Sequence, residues 1–318
     1  MCAGEASRRN VTTLRESSLP PVSARLTRAA IAVLGRLGLR VDRLDPGAVL
    51  VTRRRVARRQ RLDRFGPGAT LVSRPRLAAR EWMKHEKPLF EHLQSTQVPA
   101  LLDLYRVNCV IDVGAHAGQY GERLRAGGYR GRIVSFEPTP EGFAQLERVA
   151  AADPKWSVHG LALGREDGTT TMNVVPGTLS SLLPPTRFGA GRYPKLQAPE
   201  EVEVEVRRLD GMLDDLFEGL KRPRPFLKLD TQGYDLDVFA GVGERIKQFR
   251  GLQSEVALMP IYEGMPLMTE ALAAYRDAGF QIAAMYPVSR QTRTARVLEF
   301  DCVMVRASVL KKRRKQPR

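Results

Sequence analysis

The chain has little cysteine, and its three cysteines lie far apart, at Cys2, Cys109 and Cys302. None of them forms a Cys-x-x-Cys or Cys-x-x-His pair, the spacing that zinc sites use. With 318 residues, the chain is long enough to bury a hydrophobic core without cross-links. The sequence therefore predicts neither a disulfide framework nor a zinc site, and it is typical of a protein in a reducing cytoplasm.

Long apolar segments are missing as well. No run of about 18 apolar residues is present, so a transmembrane helix is not predicted. Near the N-terminus, Arg28 and Arg36 flank only seven residues, so the continuous apolar core of an export signal is not present there. We therefore expect a cytoplasmic protein.

Acidic residues are scarce at both ends of the chain. Residues 1–80 contain 18 arginines and five acids, and residues 311–318 contain six basic residues and no acid. The 230 residues between them carry 30 acidic and 27 basic side chains, although the whole chain has a net charge of +16. A basic body would favour a nucleic-acid substrate, whereas basic ends favour attachment to a partner or a surface.

The N-terminal segment has the pattern of a basic amphipathic helix. Over residues 25–41, apolar side chains fall on one helical face and the arginines lie mostly off it. Such a helix either lies on an anionic membrane surface, as a peripheral contact, or packs on its own domain. Residues 49–64 are dense in arginine but contain no aromatic side chain, so a stacking platform for single-stranded nucleic acid is not indicated.

Residues 109–138 have the pattern of a strand, a glycine turn, a helix and a second strand. A short apolar run leads to Gly114 and Gly118, helix-forming residues follow over 119–126, and the second apolar run ends before Glu137. This is the first half of a nucleotide-binding sheet. The turn needs glycine because a bound ligand approaches the backbone closely. Glu137 is placed to accept hydrogen bonds from both ribose hydroxyls.

The spacing of the glycines distinguishes two classes of ligand. Dinucleotide sites use Gly-x-Gly-x-x-Gly to seat a pyrophosphate, and the turn here, Gly-Ala-His-Ala-Gly over residues 114–118, does not match it. S-adenosylmethionine carries no phosphate, and its sites favour an acid before the turn, where Asp112 stands. The pattern favours S-adenosylmethionine; the alternative is a purely structural glycine turn in another α/β protein.

Six motifs carry a resemblance to a known family. In chain order they are VIDVGAHAGQY, SFEP, LALGREDG, LKLDTQGYDLDVFAGVG, SEVALMPIYEGMP and EFDCVMVR. Together they resemble the FkbM family of S-adenosylmethionine-dependent methyltransferases over about residues 108–306. Two positions depart from that family's pattern: His116 replaces the commonest Asn, and Gln232 replaces the Glu of Asp-Val-Glu-Gly. The second departure puts in doubt any role that needs a carboxylate at position 232.

The resemblance implies a fold and a domain organisation. The expected fold is α/β, a doubly wound class I methyltransferase (Rossmann-like) sheet with a terminal antiparallel strand, plus a basic N-terminal helical extension. We predict a partly disordered extension over residues 1–76, a methyltransferase domain with a helical cap over 77–306, and a basic tail over 307–318. Within the cap, prolines separate three predicted helical pieces. Residues 176–199 are predicted to be a loop, either a lid that binds the acceptor or a surface insertion.

Ligands of such sheets bind at the carboxyl ends of the strands, and this rule selects the candidate site residues. The candidates for binding the cofactor are Asp112, Gly114, His116, Gly118, Glu137, Leu161 and Ala162. The candidates for catalysis are Asp230, His116 and Glu255. The candidates for binding the acceptor are Ser180, Ser181, Thr231, Tyr234 and Tyr262.

Each catalytic candidate also has a structural alternative. Asp230 would be a general base or a cap on the helix that follows, and His116 would be a base or only fill space. Glu255 would bind acceptor hydroxyls or tie neighbouring strands together through an ion pair. Some O-methyltransferases bind Mg²⁺ with an adjacent Asp-Asn or Asp-Asp pair at the fifth strand. No metal is predicted, because that pair is missing here; Asp214 and Asp215 fall on a predicted helix before the fourth strand that faces solvent.

Three functions remain as hypotheses. The first is O-methylation of a hydroxyl on a sugar, glycan or secondary metabolite, where the small-molecule or glycan acceptor is implied by the resemblance alone. The second is an RNA methyltransferase that uses the basic ends, which the slightly acidic body and the lack of an Asn/Asp-Pro-Pro-Tyr run disfavour. The third is a non-catalytic scaffold, against which the intact glycine turn and Glu137 argue. No feature of the sequence predicts an oligomeric state.

Overall fold

A computed structural model describes residues 39–45, 48–53, 61–64, 70–73, 79–306 and 308–309 of the chain. Its contacts divide the chain into two units, residues 1–78 and residues 79–318. In this described part of the chain, no helix combines the length and the apolar character needed to cross a bilayer.

The first unit contains two β-hairpins. Strand β1 (Leu39–Asp45) pairs antiparallel with β2 (Ala48–Arg53), and β3 (Arg61–Arg64) pairs antiparallel with β4 (Thr70–Ser73). The prediction of a helix that reaches residue 41 is therefore wrong for residues 39–41, which lie in β1. The physical reason is visible in the sequence, because Leu39 and Val41 alternate with polar residues before an Asp-Pro-Gly turn signal, and a short run rich in β-branched residues follows it. The rest of that helix, and the predicted tail apart from residues 308–309, lie outside the described residues.

Within residues 79–306, the second unit contains ten strands and seven α-helices. The strands are β5 (Cys109–Val113), β6 (Arg132–Phe136), β7 (Trp156–His159), β8 (Ala162–Leu163), β9 (Gly168–Val174), β10 (Glu200–Arg207), β11 (Pro225–Leu229), β12 (Gly251–Ala257), β13 (Phe280–Arg290) and β14 (Val297–Arg306). The helices are α1 (Ala79–Leu104), α2 (Gln119–Ala126), α3 (Pro140–Ala150), α4 (Arg187–Arg192), α5 (Leu213–Leu216), α6 (Asp235–Gly241) and α7 (Met268–Asp277).

Seven of these strands form the main sheet, in the order β13-β14-β12-β11-β5-β6-β7. The five strands from β12 to β7 are parallel to their neighbours, β14 runs antiparallel to β12, and β13 runs antiparallel to β14. This arrangement confirms the predicted doubly wound sheet with a terminal antiparallel strand. A separate three-stranded sheet has the order β8-β10-β9.

Both faces of the main sheet are covered, because successive side chains on a strand point to opposite faces. Ile111 belongs to a core cluster with side chains of α5, α6 and α7, whereas Val110 belongs to a second cluster with side chains of α1, α2 and α3. Cys109 and Cys302 are buried free thiols in this core. A hydrophobic side chain buried in this way contributes roughly 1.5–3 kcal/mol.

Helix α1 differs from its prediction, because it is one continuous helix of 26 residues rather than three pieces. Pro88 and Pro99 both lie inside it. A proline removes one helical hydrogen bond, which favours a break in an exposed helix. Here Val98 and Leu102 are buried in the core cluster that covers one face of the sheet, and this packing holds the helix together across Pro99.

Two further predictions are corrected in the stretch before β11. The loop predicted over residues 176–199 contains α4 and a 3-10 turn at Pro194–Gln197. The helix predicted over residues 209–220 is helical only at α5. Short elements of this kind are fixed by tertiary contacts rather than by helix propensity, so periodicity does not reveal them.

The register of the parallel strands positions the site. Val113 pairs with Phe136 on one side and with Leu229 on the other, and Leu229 pairs with Ser254. The residues that follow these four positions therefore meet at one edge of the sheet. They are Gly114, Glu137, Asp230 and Glu255.

Candidate active site

A cavity of about 370 Å³ opens at this edge of the sheet. Its lining includes most of the site residues that the sequence predicts: Gly114, His116, Glu137, Leu161, Ala162, Ser180, Asp230, Thr231, Tyr234 and Glu255. We refer to the part near Gly114 and Glu137 as the cofactor end, and to the part near Asp230, Glu255 and Asp301 as the acceptor end. Helix α1 supplies further lining residues, among them Gln94.

The glycine turn of the cofactor end is held against two strands. The amides of Gly114 and Ala115 both donate to the Phe136 carbonyl, each at 3.0 Å. Gly114 has φ of 73°, and a Cβ added to it would lie 2.0 Å from the Asp230 carbonyl oxygen. Both the left-handed backbone and this close approach require glycine. The turn therefore lies directly beside the residue that follows β11.

Glu137 is held in place by the main chain around it. Its carboxylate accepts hydrogen bonds from the His116 amide at 2.7 Å and from the Thr139 amide at 2.9 Å, and the residue is 5% exposed. The Thr139 hydroxyl also donates to Glu137 and does not cap α3. A carboxylate fixed in this way keeps acceptor capacity for the hydroxyls of a ribose.

The wall beside Glu137 is apolar. Phe136, Leu161, Ala162, Leu163 and Met172 line it. An apolar slot next to a fixed carboxylate suits an adenosine, whose base is flat and whose ribose carries two donors. His116, which has φ of 46°, lines the same region, and its Nδ1 lies 3.3 Å from Gln119 Nε2.

Asp230 is the carboxylate at the boundary between the two ends. Its side chain is 38% exposed, with Oδ2 at 3.4 Å from Lys228 Nζ and Oδ1 accepting a hydrogen bond from Gln232 Nε2 at 3.1 Å. The capping alternative for Asp230 is not observed. Asp235 instead accepts the Thr231 amide at 2.9 Å. Asp230 is therefore held from two sides while it still faces the cavity.

Lys228 is a buried cation behind this carboxylate. Its Nζ lies 3.1 Å from Asp112 Oδ1 and donates to the Gly114 carbonyl at 3.0 Å. Burial alone would lower the pKa of Lys228, but the carboxylates of Asp112 and Asp230 outweigh that effect and raise it above its usual value. Lys228 thus stays charged and links the strand before the turn, the turn itself and Asp230.

Two more carboxyl groups line the acceptor end. Glu255 of β12 pairs across the strands with Asp301 of β14, and Asp301 Oδ2 accepts from Gln94 Nε2 at 2.7 Å. Burial and the nearby Asp230 raise the pKa of Asp301 to about 6. Burial and the carboxylates of Glu299 and Asp230 raise the pKa of Glu255 well above its usual range. Both groups therefore keep their protons to higher pH than an ordinary carboxyl group does, and a protonated carboxyl group can donate as well as accept hydrogen bonds.

Two residues predicted to bind the cofactor do not line the cavity. Asp112 is fully buried and faces Lys228 and Ser135, because its position inside β5 points its side chain into the sheet packing. Gly118 lies at the start of α2, where an added Cβ would contact Leu146 at 3.2 Å. Asp112 and Gly118 therefore contribute to the packing around the glycine turn and do not face the cavity.

Two residues predicted to bind the acceptor also do not line the cavity. Ser181 is fully buried and donates to the Gln232 carbonyl at 2.7 Å. Tyr262 is 1% exposed and donates to the Leu179 carbonyl at 2.7 Å. They hold in place a segment over residues 177–184, which we call the strap and which contributes Ser180 to the cavity.

The sequence pattern did not predict Asp301 or Gln94 as site residues. It also did not predict the contacts of the Gln232 side chain with Asp230 and Tyr262. A signal for Asp301 was present, since Glu299 and Asp301 alternate with Phe300 and Cys302 in an otherwise apolar strand. Acids in that pattern point to one shared face. No such signal exists for Gln94, which is one polar residue in a long helix. Among residues 79–306, no group of three or more His, Cys, Asp or Glu side chains has an arrangement that could hold a metal ion.

Comparison with known proteins places this site in a family. A model named "Methyltransferase FkbM domain" matches residues 112–282, which is more than half of the chain. "Methyltransferase 1" of Beauveria bassiana (strain ARSEF 2860) is 27% identical over 148 residues, which cover 42% of this chain and 58% of that protein. The chain thus matches less than two thirds of that relative's length.

Solved structures share a similar arrangement at low sequence identity. Magnesium protoporphyrin IX methyltransferase from Synechocystis PCC 6803 is 11% identical, with a TM-score of 0.39 over 74% of this chain and 100% of that one. Fibrillarin from Aeropyrum pernix is 13% identical, with a TM-score of 0.35 over 84% of this chain and 94% of that one.

The residues of the cofactor end fit S-adenosyl-L-methionine, the methyl donor. The glycine turn admits a ligand close to the backbone, the Glu137 carboxylate can accept from a ribose, and the adjoining wall is apolar. S-adenosyl-L-methionine has these three requirements and needs no site for a pyrophosphate. The match of the domain model over residues 112–282 and the geometry of this end agree, and the chain belongs to the FkbM methyltransferase family.

Proposed function

We propose that this protein uses S-adenosylmethionine to methylate a hydroxyl group on a sugar, a glycan or a secondary metabolite. The observation that carries the proposal is the placement of Asp230. It lies where the glycine turn meets the acceptor end, and it faces the cavity with more than a third of its side chain exposed. A carboxylate at that position can take the proton that a hydroxyl loses when it is methylated.

The two ends of the cavity have different roles in the proposed reaction. S-adenosylmethionine supplies a methyl group that is already activated by a sulfonium. Glu137 holds the ribose and so fixes the direction in which the methyl group points. Alignment of this kind contributes roughly 7–11 kcal/mol to a transfer reaction. Asp230 accepts the proton of the acceptor hydroxyl, which contributes about 10²–10⁴-fold.

The composition of the acceptor end supports a hydroxylated, uncharged acceptor. Asp230, Glu255 and Asp301 all line it, and carboxyl groups accept hydrogen bonds from several hydroxyls of one sugar ring. A phosphate would be repelled by each of these groups that is ionised. For this reason a nucleic acid is a poorer fit than a sugar or a small metabolite, whatever the basic ends of the chain contact.

The cofactor part of the proposal is tested by calorimetry with S-adenosylhomocysteine. Glu137→Ala should weaken binding about 10–100-fold, since a hydrogen bond to a charged group contributes about 1.5–3 kcal/mol. Glu141→Ala, an exposed glutamate at the start of α3, is the matched control and should bind as the wild type does. Equal affinity of the Glu137 variant and the wild type would remove Glu137 from the cofactor site.

The acceptor part is tested with donor that carries a tritiated methyl group. The full chain is incubated with methyl glycosides of neutral hexoses and deoxyhexoses and, separately, with a short single-stranded RNA. We expect label on a glycoside, as an alkali-stable methyl ether, and none on the RNA. Label on the RNA alone would overturn the proposed acceptor class and leave the cofactor assignment standing.

A further inference from the structure

Gln232 makes three different contacts at the junction of the two ends. Its amide nitrogen donates to Asp230 Oδ1 at 3.1 Å, and its amide oxygen lies 3.2 Å from the Tyr262 hydroxyl, which shares its one proton between this oxygen and the Leu179 carbonyl. Its main-chain carbonyl accepts from the Ser181 hydroxyl at 2.7 Å. Tyr262 in turn donates to Leu179 of the strap. The Gln232 side chain thus connects Asp230, the candidate base, to the strap, which lines the cavity.

The backbone at this position is unusual. Gln232 has φ of 51°, a left-handed conformation that residues other than glycine rarely adopt, and Gly233 follows with φ of 95°. An added Cβ on Gly233 would lie 2.8 Å from Met265 Cβ, so the chain passes close to its neighbours here. Two left-handed residues in succession reverse the chain after β11, which lets the Gln232 side chain return to Asp230. Non-glycine residues persist in this conformation where the surrounding structure fixes them, often at functional sites.

The two carboxylate oxygens of Asp230 have different partners. Lys228 Nζ lies 3.4 Å from Oδ2, and Gln232 Nε2 donates to Oδ1. An amide at position 232 can donate, whereas a glutamate, the residue of the resembled family's pattern, could only accept when ionised. A glutamate there would also place a second negative charge beside Asp230. Glutamine at this position therefore fixes the orientation of the Asp230 carboxylate through a donated hydrogen bond.

We propose that Gln232 is a positioning residue for methyl transfer: its amide holds the Asp230 carboxylate towards the acceptor, and its contacts with Tyr262 and Ser181 couple that carboxylate to the strap. This inference rests on the proposed function, because it assigns Gln232 to the base of that reaction. A purely structural glutamine would stabilise the loop and the strap but would leave the protonation of Asp230 unchanged.

The test measures the titration of Asp230 directly. The full chain is labelled with ¹³C at the aspartate carboxyl carbons, and the Asp230 signal is assigned by its loss in Asp230→Asn. The titration midpoint of that signal is then compared in the wild type, Gln232→Glu and Gln232→Met. We expect the midpoint to rise by about one pH unit in Gln232→Glu, from lost donation and added charge, and by less in Gln232→Met.

Gln145→Glu is the matched control. Gln145 is half-buried on α3 and donates to the Glu141 carboxylate at 3.3 Å, so the control adds the same charge beside a carboxylate that does not line the cavity. It should leave the Asp230 midpoint unchanged. If Gln232→Met fails to fold, the isosteric Gln232→Glu still decides. An unchanged midpoint in Gln232→Glu, with the fold intact, overturns the inference.

A second readout uses a glycoside that is methylated by the wild type. The acid limb of the rate profile should move to higher pH in Gln232→Glu by the same amount as the titration midpoint. A fall in rate at all pH values without such a shift would make Gln232 structural. If no glycoside or RNA is methylated, the proposed function fails, while the titration of Asp230 still tests the positioning contact.

Discussion

The carboxyl groups at the two ends of the cavity have different surroundings. At the cofactor end, the Glu137 carboxylate is surrounded by donors, two of them main-chain amides of nearby residues. At the acceptor end, Asp230, Glu255 and Asp301 lie close together, and Lys228 is a buried cation beside them. The first arrangement holds one carboxylate in a fixed orientation. In the second, burial and the neighbouring carboxylates raise the pKa values of Glu255 and Asp301.

This difference indicates which property each end controls. A carboxylate held by several donors changes little in its protonation, so it suits binding and orientation. Carboxyl groups that repel one another and are partly buried have raised pKa values, and such groups suit proton transfer near neutral pH. We therefore expect changes at the cofactor end to alter affinity and stability, and changes at the acceptor end to alter turnover and pH dependence.

The largest expected effect is at the acceptor end. Asp230→Asn keeps the size of the side chain and removes the base, so turnover of the methylated glycoside should fall about 10²–10⁴-fold. The affinity for S-adenosylhomocysteine, measured by calorimetry, should stay within about threefold of the wild type, because Glu137 and the glycine turn are untouched. Equal losses of turnover and of affinity would show that the two ends are not separate and that Asp230 has a structural role.

The same contrast explains which parts of the site could be predicted from the sequence. The cofactor end is made from residues 112–139, which are contiguous, so its strand, turn and acid follow from local pattern. The acceptor end combines residues that are distant in the chain. Gln94 and Asp301, for example, are 207 positions apart and meet through one hydrogen bond. Local patterns do not carry that information.

Two differences between the sequence pattern and the structure have the same physical origin. Pro99 was predicted to break a helix, but packing of Val98 and Leu102 on the sheet outweighs its helix propensity. Ser181 and Tyr262, which the sequence predicts at the acceptor, have buried side chains, Ser181 within the strap and Tyr262 against it. In each case tertiary contacts, which a single sequence does not display, decide the outcome.

A medium effect is expected at the cofactor end. Gly114→Ala would place a Cβ 2.0 Å from the Asp230 carbonyl oxygen and would also strain a backbone with φ of 73°. Gly128 offers a matched control, because its φ is 92° and nothing lies within 4 Å of an added Cβ. Both variants have the backbone strain, but only Gly114→Ala has the overlap, which costs about 1–3 kcal/mol.

Chemical denaturation of the two variants measures this difference. We expect Gly114→Ala to have the lower free energy of unfolding by that amount and to lose measurable affinity for S-adenosylhomocysteine. Gly128→Ala should be destabilised by about 1–2 kcal/mol and should bind normally. Equal stability and equal affinity of the two variants would mean that the turn is not held against β11, and the contrast between the two ends would weaken.

The smallest expected effect concerns the pH dependence of stability at the acceptor end. Burial raises the pKa of Asp301 from 3.8 to about 6, so the folded protein keeps this proton over a range in which the unfolded chain has released it. The unfolded state then binds fewer protons, and the contribution of Asp301 to the free energy of unfolding falls as pH rises from about 4 to about 6. Above that range the loss is complete.

Asp301→Asn mimics the protonated form, and its side-chain oxygen can still accept from Gln94. Its advantage over the wild type in free energy of unfolding should therefore grow between pH 4 and pH 6 and reach on the order of 2 kcal/mol. Asp277→Asn is the control, since that side chain is 74% exposed at the surface, and its effect should be the same at both pH values. A flat difference for Asp301→Asn would mean that Gln94 and Lys228 already neutralise this carboxylate. The acceptor end would then resemble the cofactor end, and Asp230 alone would set the pH dependence of the reaction.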